Sequence, residues 1–135
     1  MNFGPYFIPE ANIVYQTKLS FVFTNLRPAA EGHLLVSPKR VIQYFHDLTN
    51  EEKLDLIQTA ELSSKIMKKY LNTEAIAVTV QDGPAAGQTV PHLHFHIIPR
   101  HIPTQWLHSP NQDPVVQAKT TSIYRNYFLE YLSQK

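Results

Sequence analysis

The chain has 135 residues, 43% of them hydrophobic and 17% charged, which is enough to bury one core without staples and excludes a disordered chain. A formal charge of +1 argues against broad electrostatic binding of nucleic acid or an anionic membrane, while a local anion site stays open. The lack of cysteine removes disulfide scaffolds, thiolate zinc sites and cysteine nucleophiles; with no apolar run near the roughly 20 residues of a membrane span, and no signal-like start in MNFGPYFIPE, a soluble intracellular protein is expected.

Residues 11–15, 18–26 and 33–37 are short apolar or β-branched runs separated by turn residues, and they predict extended structure. Arg27-Pro28 stops the second run, Gly32 opens the third and Pro38 closes it, so these two read as an antiparallel pair. The period then changes. Leu54, Ile57, Ala60 or Glu61, Ser64, Met67 and Leu71 recur three or four apart, predicting an amphipathic helix over 50–71 with these residues as its apolar stripe. Thr49 and Glu52 form a capping box, and lysines gather near the far end, where they complement the dipole. Residues 75–81 return to period two and end at Asp82-Gly83-Pro84. A further strand is expected over 90–98, closed by Pro99. The four prolines of residues 99–114 predict a surface loop, and 115–132 a second helix. Strands, one long helix, then strands make an α+β domain over 1–135 with a mainly antiparallel sheet.

His92-Leu93-His94-Phe95-His96-Ile97-Ile98 is the most informative stretch. On a strand the three histidines share one face, about 7 Å apart, while Leu93, Phe95 and Ile97 enter the core. Core demand alone rarely produces three such imidazoles. Two chemistries compete. One is a metal site, since His-x-His pairs hold zinc through imidazole nitrogens. The other is nucleophilic catalysis by histidine, with neighbours fixing its tautomer. Ahead of the triad, Gly87-Gln88-Thr89-Val90 brings a flexible backbone, a carboxamide and a hydroxyl, which suit phosphate oxygens better than zinc.

Residues 81–100, QDGPAAGQTVPHLHFHIIPR, resemble the signature of the histidine triad superfamily, and more narrowly its fragile histidine triad branch of dinucleoside triphosphate hydrolases. The stretches Leu19-Ser20-Phe21 with Asn25, Gly32 to Val36 and Phe45 to Leu48 are similar too, so the resemblance covers roughly residues 15–100. It implies an antiparallel sheet of about five strands, a long helix, a C-terminal helix and a homodimer joined through its sheets. It also implies hydrolysis of diadenosine triphosphate-like dinucleotides to AMP and ADP, with His94 attacking the α-phosphorus. Two alternatives are a nucleoside phosphoramidase and a dinucleotide-sensing signalling protein with slow turnover. His96 would contact the phosphate or the leaving-group bridge, with His92 and His33 in support. Gln88 and Thr89, backed by the Gly87 and Val90 backbone, would hold phosphate oxygens; Gln81 and Asn25 would touch substrate, Asn25 at the ribose.

Phe3, Ile8, Phe23 and Leu35 are candidates for the base pocket, with ordinary core packing as the alternative. Arg100 stands either near a distal phosphate or in solvent, and Lys39-Arg40 reads as surface. No obligatory cofactor is expected; Mg or Mn would accompany the polyphosphate. A cytoplasmic location is expected, with the nucleus also open, and no nucleic-acid or membrane partner. It ends at Arg100, so no role passes to Tyr124.

Overall fold

The computed structural model describes residues 1–101 and 110–134. At the N-terminus a hairpin pairs β1 (Asn2–Phe3) with β2 (Tyr6–Phe7). Nothing in the hydrophobic pattern announces it. The alternating stretches become β3 (Ile13–Gln16), β4 (Ser20–Thr24) and β5 (Leu34–Pro38), followed by α1 (Asn50–Tyr70), β6 (Ala75–Val80), β7 (Phe95–Arg100) and α2 (Pro114–Ser133). The five longer strands form one antiparallel sheet in the order β3-β4-β5-β7-β6. The architecture is the expected α+β one. Among the described residues no helix is long and apolar enough to cross a membrane.

Register divides the sheet into two working faces. Phe23 stands opposite Leu35, Leu35 opposite His96, and His96 opposite Thr79, so these four share one face in a row across the strands. The neighbouring row, Val22, Val36, Phe95 and Val80, faces the other way. That second face packs against Leu56, Ile66 and Met67 of α1 and Tyr124 and Phe128 of α2, forming the main core. The first face carries a smaller cluster of Phe3, Phe21, Phe23 and Leu35, with Met1, Ile8 and Val90 at its margin. Helices thus hold the sheet from behind and leave the histidine face to the N-terminal hairpin.

Three local expectations need correction. The helix begins where the capping box predicts, with Thr49 accepting from the Glu52 N–H and Glu52 accepting from the Thr49 N–H. Its buried stripe, however, is Leu56, Thr59, Ala60, Ser63, Ile66 and Met67, while Leu54 and Ile57 remain 60% and 50% exposed. Thr59 and Ser63 disguise this stripe in the sequence. Their hydroxyls donate to the carbonyls of Asp55 and Thr59 one turn back, so they enter the core with their hydrogen bonds satisfied. The last strand starts at Phe95 rather than Val90 and runs through Pro99, which pairs with Ile76 beside the edge strand β6. Of the expected 99–114 loop, Pro99 and Arg100 are strand and Pro114 begins α2; residues 102–109 lie outside the described residues.

Arg40 also does more than solvate the surface. Its guanidinium holds both carboxylate oxygens of buried Glu52, at 3.0 and 2.7 Å, and donates to the Asp47 carbonyl. The Arg40 hydrogen bond lowers the Glu52 pKa from 4.5 to about 2, against the opposing effect of burial. A carboxyl with a lowered folded pKa contributes stability above its unfolded pKa and loses it as pH falls toward the folded value. Arg40→Met is therefore expected to be less stable than the parent, by a margin that is constant above about pH 5 and shrinks toward about pH 3. Urea unfolding across that range measures the margin; one that stayed constant to pH 3 would contradict this role for the pair.

Candidate active site

Four imidazoles lie together at the β5–β7 seam, and backbone donors and acceptors together determine how they are protonated. A backbone N–H can only donate, so the ring nitrogen it meets must be the bare one. His92 is fully buried; its Nδ1 accepts from the Gly4 N–H at 2.8 Å, so its Nε2 carries the proton and donates to the Pro38 carbonyl at 2.8 Å. Gly4 turns at φ +57°, where a side chain is disfavoured, and an added Cβ would stand 2.9 Å from Val90 Cγ1. His92 therefore locks the hairpin to the sheet. It lies just ahead of the strand, and both its nitrogens are occupied, so it offers no nucleophile.

His94 has the opposite arrangement. Its Nδ1 lies 2.7 Å from the His92 carbonyl, an acceptor only, so Nδ1 carries the proton and Nε2 keeps the lone pair. The ring is 6% exposed, and burial lowers its pKa from 6.5, outweighing the hydrogen bond to the His92 carbonyl. At neutral pH His94 is thus an uncharged base with Nε2 available for attack.

His33 and His96 form the third part. Nδ1 of His33 accepts from the Ala29 N–H at 2.9 Å, so its Nε2 donates to His96 Nδ1 at 3.0 Å. His96 must then carry its own proton on Nε2. The Asn25 amide nitrogen also lies 3.3 Å from His33 Nε2, but Asn25 Oδ1 already accepts from the Arg27 N–H, which fixes the amide orientation. Two donors therefore face each other there, and the shorter contact to His96 is the hydrogen bond. The rings of His94 and His96 meet edge to face with centroids 5.0 Å apart. A bare nitrogen and a protonated one stand on adjacent rings.

Residues 9–102 match the HIT domain. The chain belongs to the HIT family. It is 46% identical over 98 residues to a bis(5'-adenosyl)-triphosphatase of Dictyostelium discoideum, a match covering 73% of this chain and 66% of that protein. It is 47% identical over 100 residues to the nitrilase and fragile histidine triad fusion protein NitFhit of Caenorhabditis elegans, covering 74% of this chain and 23% of the fusion protein. The chain thus spans less than two thirds of these relatives' lengths. Its fold superposes with a TM-score of 0.87 on the crystal structure of Plasmodium falciparum diadenosine triphosphate hydrolase in complex with cyclomarin A, at 31% identity, covering 96% of this chain and 84% of that one. These likenesses put it in the fragile histidine triad branch.

Within this HIT site, Phe3, Phe23 and Leu35 are buried together with Ile8 beside them. Phe3 meets Phe23 and His94 edge to face at 5.0 Å, so the apolar cluster reaches the bare-nitrogen histidine. Asn25 stands at the end of β4 beside His33, where both line a cleft of about 410 Å³. The loop ahead of the triad is organised differently from the expectation. The N–H groups of Ala86, Gly87 and Gln88 are spent on carbonyls of Gly83 and Pro84, so the Gly87 backbone has no donor for a phosphate. Gly87 is needed for shape: φ is +99°, and the Gln81 amide fills the place of a Cβ at 2.5 Å. The Gln88 side chain is buried and donates to the Gln43 carbonyl, while Thr89 is exposed and Val90 half-buried. Sequence reasoning passed over Gly4, Ala29 and Pro38, which act through backbone atoms and carry no residue signal.

His92→Ala is expected to cost about 2–4 kcal/mol in urea unfolding, because it leaves a cavity and unpaired groups on Gly4 and Pro38. The pKa values of His92 and His94 are both lowered, chiefly by burial. Their contribution to stability is complete above the unfolded value near 6.5 and is lost as pH falls below it. Parent stability is expected to decline between about pH 7 and 5, and His92→Ala to decline less steeply. Parallel pH profiles would contradict the buried, neutral assignment.

Proposed function

We propose that the chain hydrolyses dinucleoside triphosphates of the diadenosine triphosphate type to AMP and ADP through a nucleotidyl-histidine intermediate. The observation that carries this reading is the proton arrangement: a bare Nε2 on His94 beside a protonated Nε2 on His96. His94 Nε2 attacks the α-phosphorus, a P–N bond forms and the P–O bond to the leaving ADP breaks. The positive charge that develops on the imidazole is supported by the Nδ1–H donated to the His92 carbonyl. His96 Nε2–H donates a hydrogen bond to the bridging oxygen as that oxygen gains charge and leaves as part of the terminal phosphate of ADP. Water then cleaves the P–N bond, releasing AMP and returning His94 to its neutral form.

The base rests against Phe3, Phe23, Leu35 and Ile8, the apolar cluster in contact with the attacking ring. In this reading Asn25 Nδ2, which lies beside His33, takes the ribose, and the Thr89 hydroxyl with the loop around Gln81, Gln88 and Val90 takes the phosphate side. A divalent cation, Mg or Mn, travels with the polyphosphate rather than sitting at the triad. Hydrogen bonds within the protein already engage both nitrogens of His92 and the Nδ1 atoms of His94 and His96, which leaves too few donors for a three-imidazole metal site. The active form we propose is a homodimer joined along β6, one of the two edge strands of the sheet among the described residues, where Val78 is 51% exposed.

His94→Asn is expected to lower kcat on diadenosine triphosphate by roughly 10³-fold or more while nucleotide binding stays within about tenfold, since the base cluster is untouched. Activity should survive removal of trace zinc by a chelator in excess magnesium. Wild-type-like turnover by His94→Asn, or strict dependence on bound zinc, would overturn the reading. A panel with phosphoramidates and dinucleoside tetraphosphates tests the substrate class, and Val78→Lys followed by sedimentation tests the interface, with monomer the expected product.

A further inference from the structure

The C-terminal helix lies outside the HIT match, yet it makes buried hydrogen bonds to the turn that carries Asn25 and His33. Thr121 and Gln117 bond to Thr24 at the end of β4, and Gln112, just ahead of the helix, donates to the Asn25 carbonyl. The most consequential contact is from Tyr124. Its hydroxyl accepts the Gly32 N–H at 2.8 Å, and its ring is buried in the main core. Gly32 has φ +83°, and an added Cβ would collide with Leu71 at 2.3 Å, so only glycine fits the turn in this closed form. In the same turn the Ala29 N–H meets His33 Nδ1, and the His33 N–H donates to the Ala30 carbonyl.

We propose that Tyr124 is a positioning residue for the histidine pair: by holding the Gly32 N–H it keeps the 29–33 turn closed on His33, and so keeps the proton of His96 on Nε2. This rests on the proposed role of His96 as donor to the leaving group. The logic is directional. If the Gly32 N–H loses its acceptor inside the protein, the turn must move to satisfy it. Ala29 then withdraws from His33 Nδ1, and the constraint that forces the His33 proton onto Nε2 is gone. His33 can take the other tautomer, its Nε2 becomes an acceptor, and His96 responds by protonating Nδ1. A lone pair then faces the leaving group where a donor is needed. His92 is held separately by Gly4 and Pro38, so its tautomer is independent of Tyr124.

The test is Tyr124→Phe in the full chain, which keeps the ring and deletes the acceptor, read by nitrogen NMR of histidine side chains and by steady-state kinetics. The parent is expected to show His33 and His96 as pure Nε2–H tautomers. In Tyr124→Phe both should become mixtures, with His92 unchanged as internal reference. The kcat on diadenosine triphosphate should fall about five- to tenfold, with KM within about twofold. If that variant does not fold, 4-fluorophenylalanine placed at position 124 keeps the ring with a substituent close in size to the hydroxyl but a far weaker acceptor, and a tautomer shift in the same direction is expected. Unchanged His33 and His96 tautomers in a folded variant would overturn the proposal, whatever the activity. Absence of turnover by the parent would instead sink the hydrolase reading and leave the tautomer result to decide this one.

Discussion

A backbone N–H cannot accept a hydrogen bond, and the chemistry of this site depends on that one-way property. The Gly4 N–H makes His92 Nδ1 bare, and the Ala29 N–H makes His33 Nδ1 bare. The Ala29 bond leaves a donor on His96, and the His92 carbonyl, which can only accept, keeps the His94 proton on Nδ1 and so leaves a lone pair on its Nε2. Neutral imidazoles ordinarily exchange tautomers freely; here rigid peptide groups do the selecting. Burial completes the effect, because a site that disfavours imidazolium keeps His94 neutral, with its lone pair unprotonated.

The sheet explains why so few residues suffice. Antiparallel register puts Phe23, Leu35 and His96 in one row, so the apolar wall and the proton donor are spaced by strand separation rather than by flexible loops. The N-terminal hairpin closes over that wall and, through Gly4, also fixes His92. Arg125 of α2 donates to the carbonyls of Glu10 and Ile13, so the strand leading out of the hairpin is tied to the same helix that supports the 29–33 turn. Apolar wall and histidine pair are thus braced by one element from behind the sheet.

Much of this was legible in the residues. The His-φ-His-φ-His run, with φ apolar, pointed to the family and to the imidazoles that the fold brings together, period-two stretches located the strands, and Thr49 with Glu52 marked the helix start. The errors share a physical cause: hydrogen bonds that side-chain type does not encode. Thr59 and Ser63 count as polar in a periodicity reading, yet bond to their own helix and enter the core. Pro99 looks like a terminator, although a proline lacking its N–H can still occupy a strand position. Gly87 reads as a phosphate cradle, but its N–H closes a local turn. The hairpin of residues 2–7 is too short to show any period, and its anchor is a peptide group rather than a side chain.

Stereochemistry at phosphorus tests the central claim, that His94 attacks directly. With a substrate chiral at the α-phosphorus, two successive in-line displacements, first by His94 and then by water, return the original configuration. The account predicts net retention in the AMP product. Net inversion would mean a single attack by water and would contradict the covalent role assigned to His94.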